Sequence, residues 1–165
     1  MKVRKDHPKG FTLIELLIVV AVIGIIVAIA IVNFINAIQR AKQKRSMADL
    51  RNLSTAVEAY ATDRNFYPSA AGFSLPSGLS LPGSPLGTTA SALSPTYMRI
   101  TPLVDGWNSW YLYATNTTRT DYALQSCGAD GAPDSSPTWG PTSDFNSDII
   151  IVDGTFVQYP EGAQR

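Results

Sequence analysis

One long apolar stretch dominates the N-terminal part of the chain. Residues 16–32 lack any polar side chain, and extension back to Phe11 gives 22 residues interrupted only by Thr12 and Glu15. A helix of that length crosses the ~30 Å hydrocarbon core of a bilayer. A soluble domain of this size has no need of a helix that is apolar on every side. The pattern therefore predicts that this segment inserts into a membrane.

After Val32 the apolar positions become periodic. They recur at mostly helical intervals, and neither glycine nor proline occurs from Ile25 through Tyr67. We therefore predict one continuous helix from Phe11 to about Thr62, 52 residues or roughly 78 Å long. Its second half is amphipathic, with apolar positions at Ile35, Ile38, Met47, Leu50, Leu53, Val57 and Tyr60.

The C-terminal half shows strand patterns separated by turns. Residues 110–115 and 121–126 flank a polar turn, whereas residues 148–152 and 155–159 flank Asp153-Gly154, a strong hairpin signal. A sheet of these strands would bury one face against the amphipathic half of the helix. The predicted fold class is therefore α+β, a long N-terminal helix packed on a small antiparallel β-sheet head.

The segment between helix and strands has the composition of a loop. Residues 68–95 contain five prolines and four glycines among many serines and threonines. The predicted organisation is a leader (1–10), a membrane segment (11–32), an amphipathic stalk helix (33–65), a loop (66–98) and a sheet head with an acidic loop (99–165).

The distribution of charge and the numbers of cysteine and histidine residues exclude several classes of function. The leader has a net charge of +3, whereas residues 100–165 hold eight acids against two arginines, a net of −6. The folded part therefore lacks the basic patch of a nucleic-acid-binding protein. Cys127 is the only cysteine and His7 the only histidine, so an internal disulfide, a histidine triad and a histidine-rich metal site are excluded. We predict that the protein is not an enzyme.

Two processing routes are open. An ordinary secretory signal peptide would be cut after the A-x-A-like Ala28-Ile29-Ala30 and release a soluble binding module. The other route cuts after Gly10 and keeps the apolar helix. A charge at the centre of a span costs on the order of 3 kcal/mol, so Glu15 indicates a function. Cleavage after Gly10 would give Phe11 a free, positively charged α-amine as a partner for Glu15, in the same chain or in a neighbour.

The segment "KGFTLIELLIVVAVIGIIVAIAI" resembles the class III signal of type IV pilins and type II secretion pseudopilins. The resemblance implies cleavage between Gly10 and Phe11 by a membrane-embedded aspartyl prepilin peptidase, which also N-methylates Phe11. It further implies that Glu15 sets subunit registry during filament assembly. Many type IV pilins have a helix-bending proline at the position of Val32, which is absent here.

Motifs in the head are similar to those of the G-type major pseudopilins. They are "DGWNSWYLY" at 105–113, "YALQSCGADG" at 122–131 and "SDFNSDI" at 143–149. The resemblance implies a structural subunit of a type II secretion pseudopilus that self-assembles on an inner-membrane platform with minor pseudopilins. It would be a single-pass inner-membrane protein with a cytoplasmic leader and a periplasmic head. The alternative is a type IV pilin for adhesion, motility or DNA uptake.

The same family implies a bound Ca²⁺ in the acidic loop. The candidate ligands are Asp130, Asp144, Asp148 and the carbonyl of Ser126, with Asp134 as a further possibility. Ca²⁺ takes six to eight hard oxygen ligands, which carboxylates and carbonyls supply. A solvated acidic loop is the alternative, and the spacing is not that of an EF-hand.

Two further features allow more than one interpretation. The basic cluster Arg40, Lys42, Lys44 and Arg45 is either a solvated helix face or a surface that attracts acidic headgroups or the acidic head of a neighbouring subunit. Cys127 has no Lys, Arg or His near it in sequence, and we interpret it as a turn or core residue.

Overall fold

A computed structural model describes residues 10–70, 83–134 and 138–162. The chain divides into two compact units, Met1–Ala37 and Ile38–Arg165. The helix α1, Leu13–Arg64, begins in the first unit and ends in the second. It is continuous through Val32, as expected for a helix without proline at that position.

The helix ends at a residue that adopts a left-handed conformation. Asn65 has φ +61°, and its N–H donates to the carbonyl of Ala61 at 2.8 Å. Asparagine tolerates this conformation better than most residues, and it commonly closes the C-terminus of a helix. The predicted end at about Thr62 is therefore confirmed to within two residues.

The second unit contains short elements after α1. They are β1 (Ser84–Pro85), a 3₁₀ turn (Leu86–Thr88), α2 (Ala90–Leu93), β2 (Leu112–Thr115), β3 (Tyr122–Ser126), β4 (Gly140–Thr142), β5 (Ile149–Val152) and β6 (Thr155–Pro160). The first three lie in the segment that was expected to be loop throughout. Part of that segment, residues 71–82, lies outside the described residues.

The sheet is mixed, which corrects the expectation of an antiparallel one. Its strand order is β1-β2-β3-β5-β6-β4, and four of the five neighbouring pairs are antiparallel. The exception is β4, which pairs parallel with β6. The predicted hairpin between β5 and β6 is present, with positive φ at both Asp153 and Gly154, as a type I′ turn requires.

The core lies between one face of the sheet and the part of α1 in the second unit. Leu50, Leu53 and Val57 of the helix are fully buried against Leu124 and Ile151 of the sheet. Alternate residues of a strand face opposite sides. Tyr122, Leu124, Ile149 and Ile151 therefore face the helix, and Gln125, Ile150 and Gln158 line the other face.

Candidate functional site

A reciprocal pair of side chains closes the first turn of α1. The backbone N–H and the hydroxyl of Thr12 donate to Glu15 Oε2 at 2.9 and 2.7 Å. The N–H of Glu15 in turn donates to Thr12 Oγ1 at 3.3 Å. This T-x-x-E arrangement is a capping box, which satisfies donors that the first turn of a helix leaves without partners. The spacing is visible in the sequence, yet the prediction did not assign Glu15 to the helix terminus.

Gly10 and Phe11 are both exposed, and Phe11 is 74% accessible. A Cβ atom added at Gly10 would meet nothing within 4 Å. Packing inside the chain therefore does not require glycine at this position. Residues 1–9 of the predicted leader lie outside the described part of the chain.

The described part of the first unit presents an apolar surface that no other described residue covers. Every residue from 10 to 35 is exposed, including the bulky side chains of the predicted span. Among the described residues, α1 is the one helix long and apolar enough to cross a membrane. Such a continuous apolar surface requires lipid or other apolar helices around it.

A second polar site lies on the face of the sheet opposite α1. Gln125 of β3 pairs with Ile150 of β5, which pairs with Gln158 of β6. Asp148 lies two residues before Ile150 and shares its face. The loop residue Asp134 covers this row, because Gln158 Nε2 donates to Asp134 Oδ2 at 3.5 Å.

Asp134 and Asp148 are joined by hydrogen bonds between the carboxylate of each residue and the backbone N–H of the other. The Asp134 N–H donates to Asp148 Oδ2 at 2.8 Å, and the Asp148 N–H donates to Asp134 Oδ2 at 3.3 Å. Gln125 Nε2 also donates to Asp148 Oδ2. Both partners of Asp148 therefore converge on one oxygen atom.

Three buried oxygen atoms of the site have no hydrogen-bond donor among the described residues. They are Asp148 Oδ1, Gln125 Oε1 and Gln158 Oε1, on side chains that are 0–1% exposed. Burial raises the pKa of Asp148 to about 6, and the charges of Asp134 and Asp130 add to the shift. Buried polar atoms are normally satisfied, and an uncompensated buried charge is costly. Orphaned hard oxygens of this kind fit a cation such as Ca²⁺.

The structure groups the predicted ligands only in part. Asp148 lies in the buried site, but its carboxylate partner is Asp134. Asp130 and Asp144 are exposed, and each accepts a hydrogen bond at 3.0 Å from the backbone N–H two residues on. In the described ranges no three His, Cys, Asp or Glu side chains are grouped as metal ligands. The two glutamines were not predicted, because a lone glutamine on a strand carries no sequence signal.

Asp105, from the first head motif, organises the neighbouring loop. Its Oδ1 accepts the N–H groups of Trp107 and Ser109, both at 2.9 Å, and its Oδ2 accepts the Ser126 hydroxyl at 2.6 Å. The hydroxyl of Ser126 is thus engaged by Asp105, and only its carbonyl belonged to the predicted ligand set. The 1% exposed carboxylate of Asp105 therefore has a structural role.

Cys127 is a buried core residue, as the sequence indicated. Burial raises the pKa of its thiol to about 12, and the charges of Asp148 and Asp105 contribute. The thiolate, which is the nucleophilic form, is therefore suppressed at neutral pH.

Comparison with known proteins agrees with this architecture. The sequence model of type II secretion system protein G matches residues 33–140, and that of the prokaryotic N-terminal methylation motif matches residues 6–31. The type II secretion system core protein G of Escherichia coli is 27% identical over 138 residues, 82% of this chain and 93% of the relative. That of Pseudomonas aeruginosa is 29% identical over 131 residues, 78% of this chain and 88% of the relative. No solved structure matches the chain.

Pilins are also among the relatives. The type IV wide pilus major component PilA4 of Thermus thermophilus is 35% identical over 129 residues, 73% of this chain and 98% of that protein. A long helix with an apolar first half, packed on a small sheet, defines the pilin-like class of proteins. Within that class, the chain belongs to the family of type II secretion system protein G, as its motifs predicted.

Proposed function

We propose that this protein is the structural subunit of a type II secretion pseudopilus, which polymerises through α1 and helps to drive protein export. The observation that carries the proposal is the exposed apolar surface of residues 10–35, which begins at the Thr12–Glu15 capping box. Such a surface is stable when lipid tails surround it, and equally when it packs against the apolar helices of identical subunits. The protein would do this without chemistry of its own, and its one thiol is protonated at neutral pH.

Processing would precede assembly. A prepilin peptidase would cut between Gly10 and Phe11 and N-methylate Phe11. The exposed, uncrowded position of these two residues supports access by such an enzyme. The subunit would then wait in the inner membrane as a single-pass protein, with the head in the periplasm.

Glu15 has one free acceptor atom for the assembly step. Thr12 donates twice to Oε2, and no residue in the described part of the chain donates to Oε1. A carboxylate accepts about four hydrogen bonds in all. The α-amine of Phe11, in the same chain or in a neighbour on the assembly platform with its minor pseudopilins, would supply the missing donor and the opposite charge.

The first test is the N-terminal peptide mass of the protein from native membranes. We expect a chain that starts at N-methylated Phe11. A chain that starts at Ile31 would make the apolar segment a discarded signal peptide and overturn the proposal.

The second test is Glu15→Ala in full-length protein, with Asp63→Ala, an exposed acid on the same helix, as the control. Glu15→Ala should be cleaved and inserted normally but be absent from sheared filaments, and the control should assemble. Normal incorporation of Glu15→Ala would exclude the registry role.

We propose further that the head binds Ca²⁺ at the buried site. Asp148, Asp134 and Gln125 would hold the ion, which would neutralise the two neighbouring carboxylates and satisfy orphaned oxygens of the site. Asp130, Asp144 and the Ser126 carbonyl remain further candidate ligands.

A type IV pilin is the second candidate, supported by the match to nearly the whole Thermus thermophilus pilin. Gene deletion separates the two functions. Loss of exoprotein secretion with unchanged surface piliation would support the pseudopilin, and the reverse pattern would support the pilin.

A further inference from the structure

A cleft lies between α1 and the chain that follows β6. Its lining includes Arg40, Gln43, Lys44 and Met47 from the helix and Glu161 from the C-terminal segment, and it encloses about 190 Å³. A water molecule occupies about 30 Å³ in the liquid, so the cleft has room for a group of several heavy atoms. It is smaller than the roughly 300–1,000 Å³ of most small-molecule sites. The size suits a headgroup-sized ligand.

A buried donor in this cleft has no acceptor. Gln43 is 3% exposed, and its Nε2 has no hydrogen-bond partner among the described residues. Buried amide donors are almost always satisfied, and the remainder require an explanation such as an absent ligand. Gln43 is one of the residues that line the cleft, so an oxygen atom bound there is the candidate acceptor for this amide.

The charges around the cleft favour an anion. Arg40 and Lys44 are four residues apart and therefore lie on the same face of α1. Among the described residues of the lining, Glu161 is the one acid beside these two cations, so their charges sum to +1. A guanidinium binds phosphate through two parallel hydrogen bonds, and an ammonium adds a compact charge. Two cations and an amide donor together match a phosphate group.

The position of these residues in the sequence identifies the source of that phosphate. On α1, Ile38 is the last exposed large apolar side chain, and Arg40 follows two residues later. Basic residues that follow a membrane span lie near the phospholipid headgroups, where anionic lipids attract them. We infer that this cleft binds the phosphate of an anionic phospholipid, with Gln43 as the selective donor and Arg40 and Lys44 as countercharges. The inference requires only the membrane span and is independent of the calcium site and of filament formation.

The test uses full-length protein in nonionic detergent, titrated with phosphatidylglycerol and observed by native mass spectrometry. Phosphatidylcholine with the same acyl chains is the zwitterionic control. Gln43→Leu removes the donor without changing net charge and should weaken phosphatidylglycerol binding by about tenfold or more. The same variant should melt at a higher temperature than wild type, because it removes an unsatisfied donor, and this shows that it is folded.

Two lysines provide a matched comparison of charge. Lys44→Ala and Lys42→Ala each remove one cation from the same helical segment, but only Lys44 lines the cleft. We expect a clearly larger loss for Lys44→Ala. Equal losses for both lysines, unchanged binding by Gln43→Leu, or equal binding of phosphatidylcholine would overturn the inference.

Competition distinguishes other occupants. Displacement of the lipid by an equal concentration of inorganic phosphate would indicate a site for a free anion and overturn the lipid assignment. If the cleft instead accepts a carboxylate of a second copy, lipid binding will be absent and Gln43→Leu will weaken only self-association. That result would also exclude the lipid site.

Discussion

Asp134 and Asp148, 14 residues apart, each accept a hydrogen bond from the backbone N–H of the other. This reciprocal pair holds the acidic loop against the sheet face that carries Gln125 and Gln158. It also leaves two carboxylates close together, one of them fully buried with an orphaned oxygen. The loop is therefore held in place at an electrostatic cost that a cation would offset.

Calcium should raise the stability of the head. At a free concentration of one hundred times Kd, a ligand that binds only the folded state contributes about 2.7 kcal/mol. We expect chelation to lower Tm by several degrees and calcium to restore it, measured by thermal unfolding of the protein in detergent. Asp148→Asn should melt above wild type in chelator, since it removes a buried charge, and should not respond to calcium. Asp63→Asn, at an exposed helix position, should respond as wild type does, and an unchanged wild-type melt would contradict the site.

The hydroxyl of Thr12 should matter for assembly as well as for the helix end. Thr12→Val keeps the shape but removes the donor to Glu15 and the acceptor for its N–H, at a cost of about 1 kcal/mol in capping. We expect reduced incorporation into sheared filaments, measured by immunoblot against the membrane pool. Thr12→Ser retains both hydrogen bonds and should restore incorporation; equal behaviour of Val and Ser would refute the role of the hydroxyl.

Asp153→Asn should stabilise the hairpin between β5 and β6. Desolvation in the turn, with the charges of Asp121 and Glu58, raises the pKa of Asp153, so the folded state disfavours its ionised form. Asparagine retains the acceptor for the Tyr122 N–H and is preferred before glycine in a type I′ turn. The expected gain at pH 7 is about 0.5 kcal/mol, measured by denaturant unfolding.

The pH dependence of that gain follows from the sign of the shift. A carboxyl group with a raised pKa destabilises the fold above its folded-state pKa and ceases to do so below its unfolded-state value of about 3.9. The advantage of Asp153→Asn should therefore vanish as the pH falls towards 4. Asp153→Ala, which loses the acceptor and is strained at φ +46°, should be destabilised at every pH.

Cys127 should be unreactive in the folded protein. Its thiol is buried, and its pKa is raised to about 12 by desolvation and by neighbouring carboxylates. At pH 8 we expect iodoacetamide to label it only after unfolding, with mass spectrometry as the readout. The free energy of unfolding should fall as the pH rises above about 8.5, where the unfolded thiol ionises and the folded thiol does not. Rapid labelling of the native protein would contradict the burial.

Local patterns predicted those elements that local forces determine. The helix follows from an apolar run and an uninterrupted periodicity, and the β5–β6 hairpin follows from Asp153-Gly154. By contrast, β4 contains Gly140 and Pro141 and has no strand pattern, so its parallel pairing depends on the surrounding tertiary structure. The helix α2 was not predicted, because it is only four residues long and lies in a segment rich in proline, glycine and serine.

The two polar sites differ in the same way. The capping box follows directly from the T-x-x-E spacing of Thr12 and Glu15. The partners of Asp148 do not follow from the sequence. Gln125 meets it only through the pairing of β3 with β5, and Asp134 reaches it from a loop whose path the sequence does not indicate. The pairing of strands that are distant in sequence cannot be predicted from local patterns in a single sequence.

The two edge strands of the sheet limit strand pairing between neighbouring heads. β1 is two residues long and β4 is three, and each contains a proline, Pro85 and Pro141. Short edge strands that contain proline offer few backbone groups to a strand from another molecule. They therefore resist amyloid-like growth. Heads that are concentrated on a membrane can thus lie close together without pairing through their backbones. In the proposed pseudopilus, polymerisation would then depend on the N-terminal helix and not on strand pairing between heads.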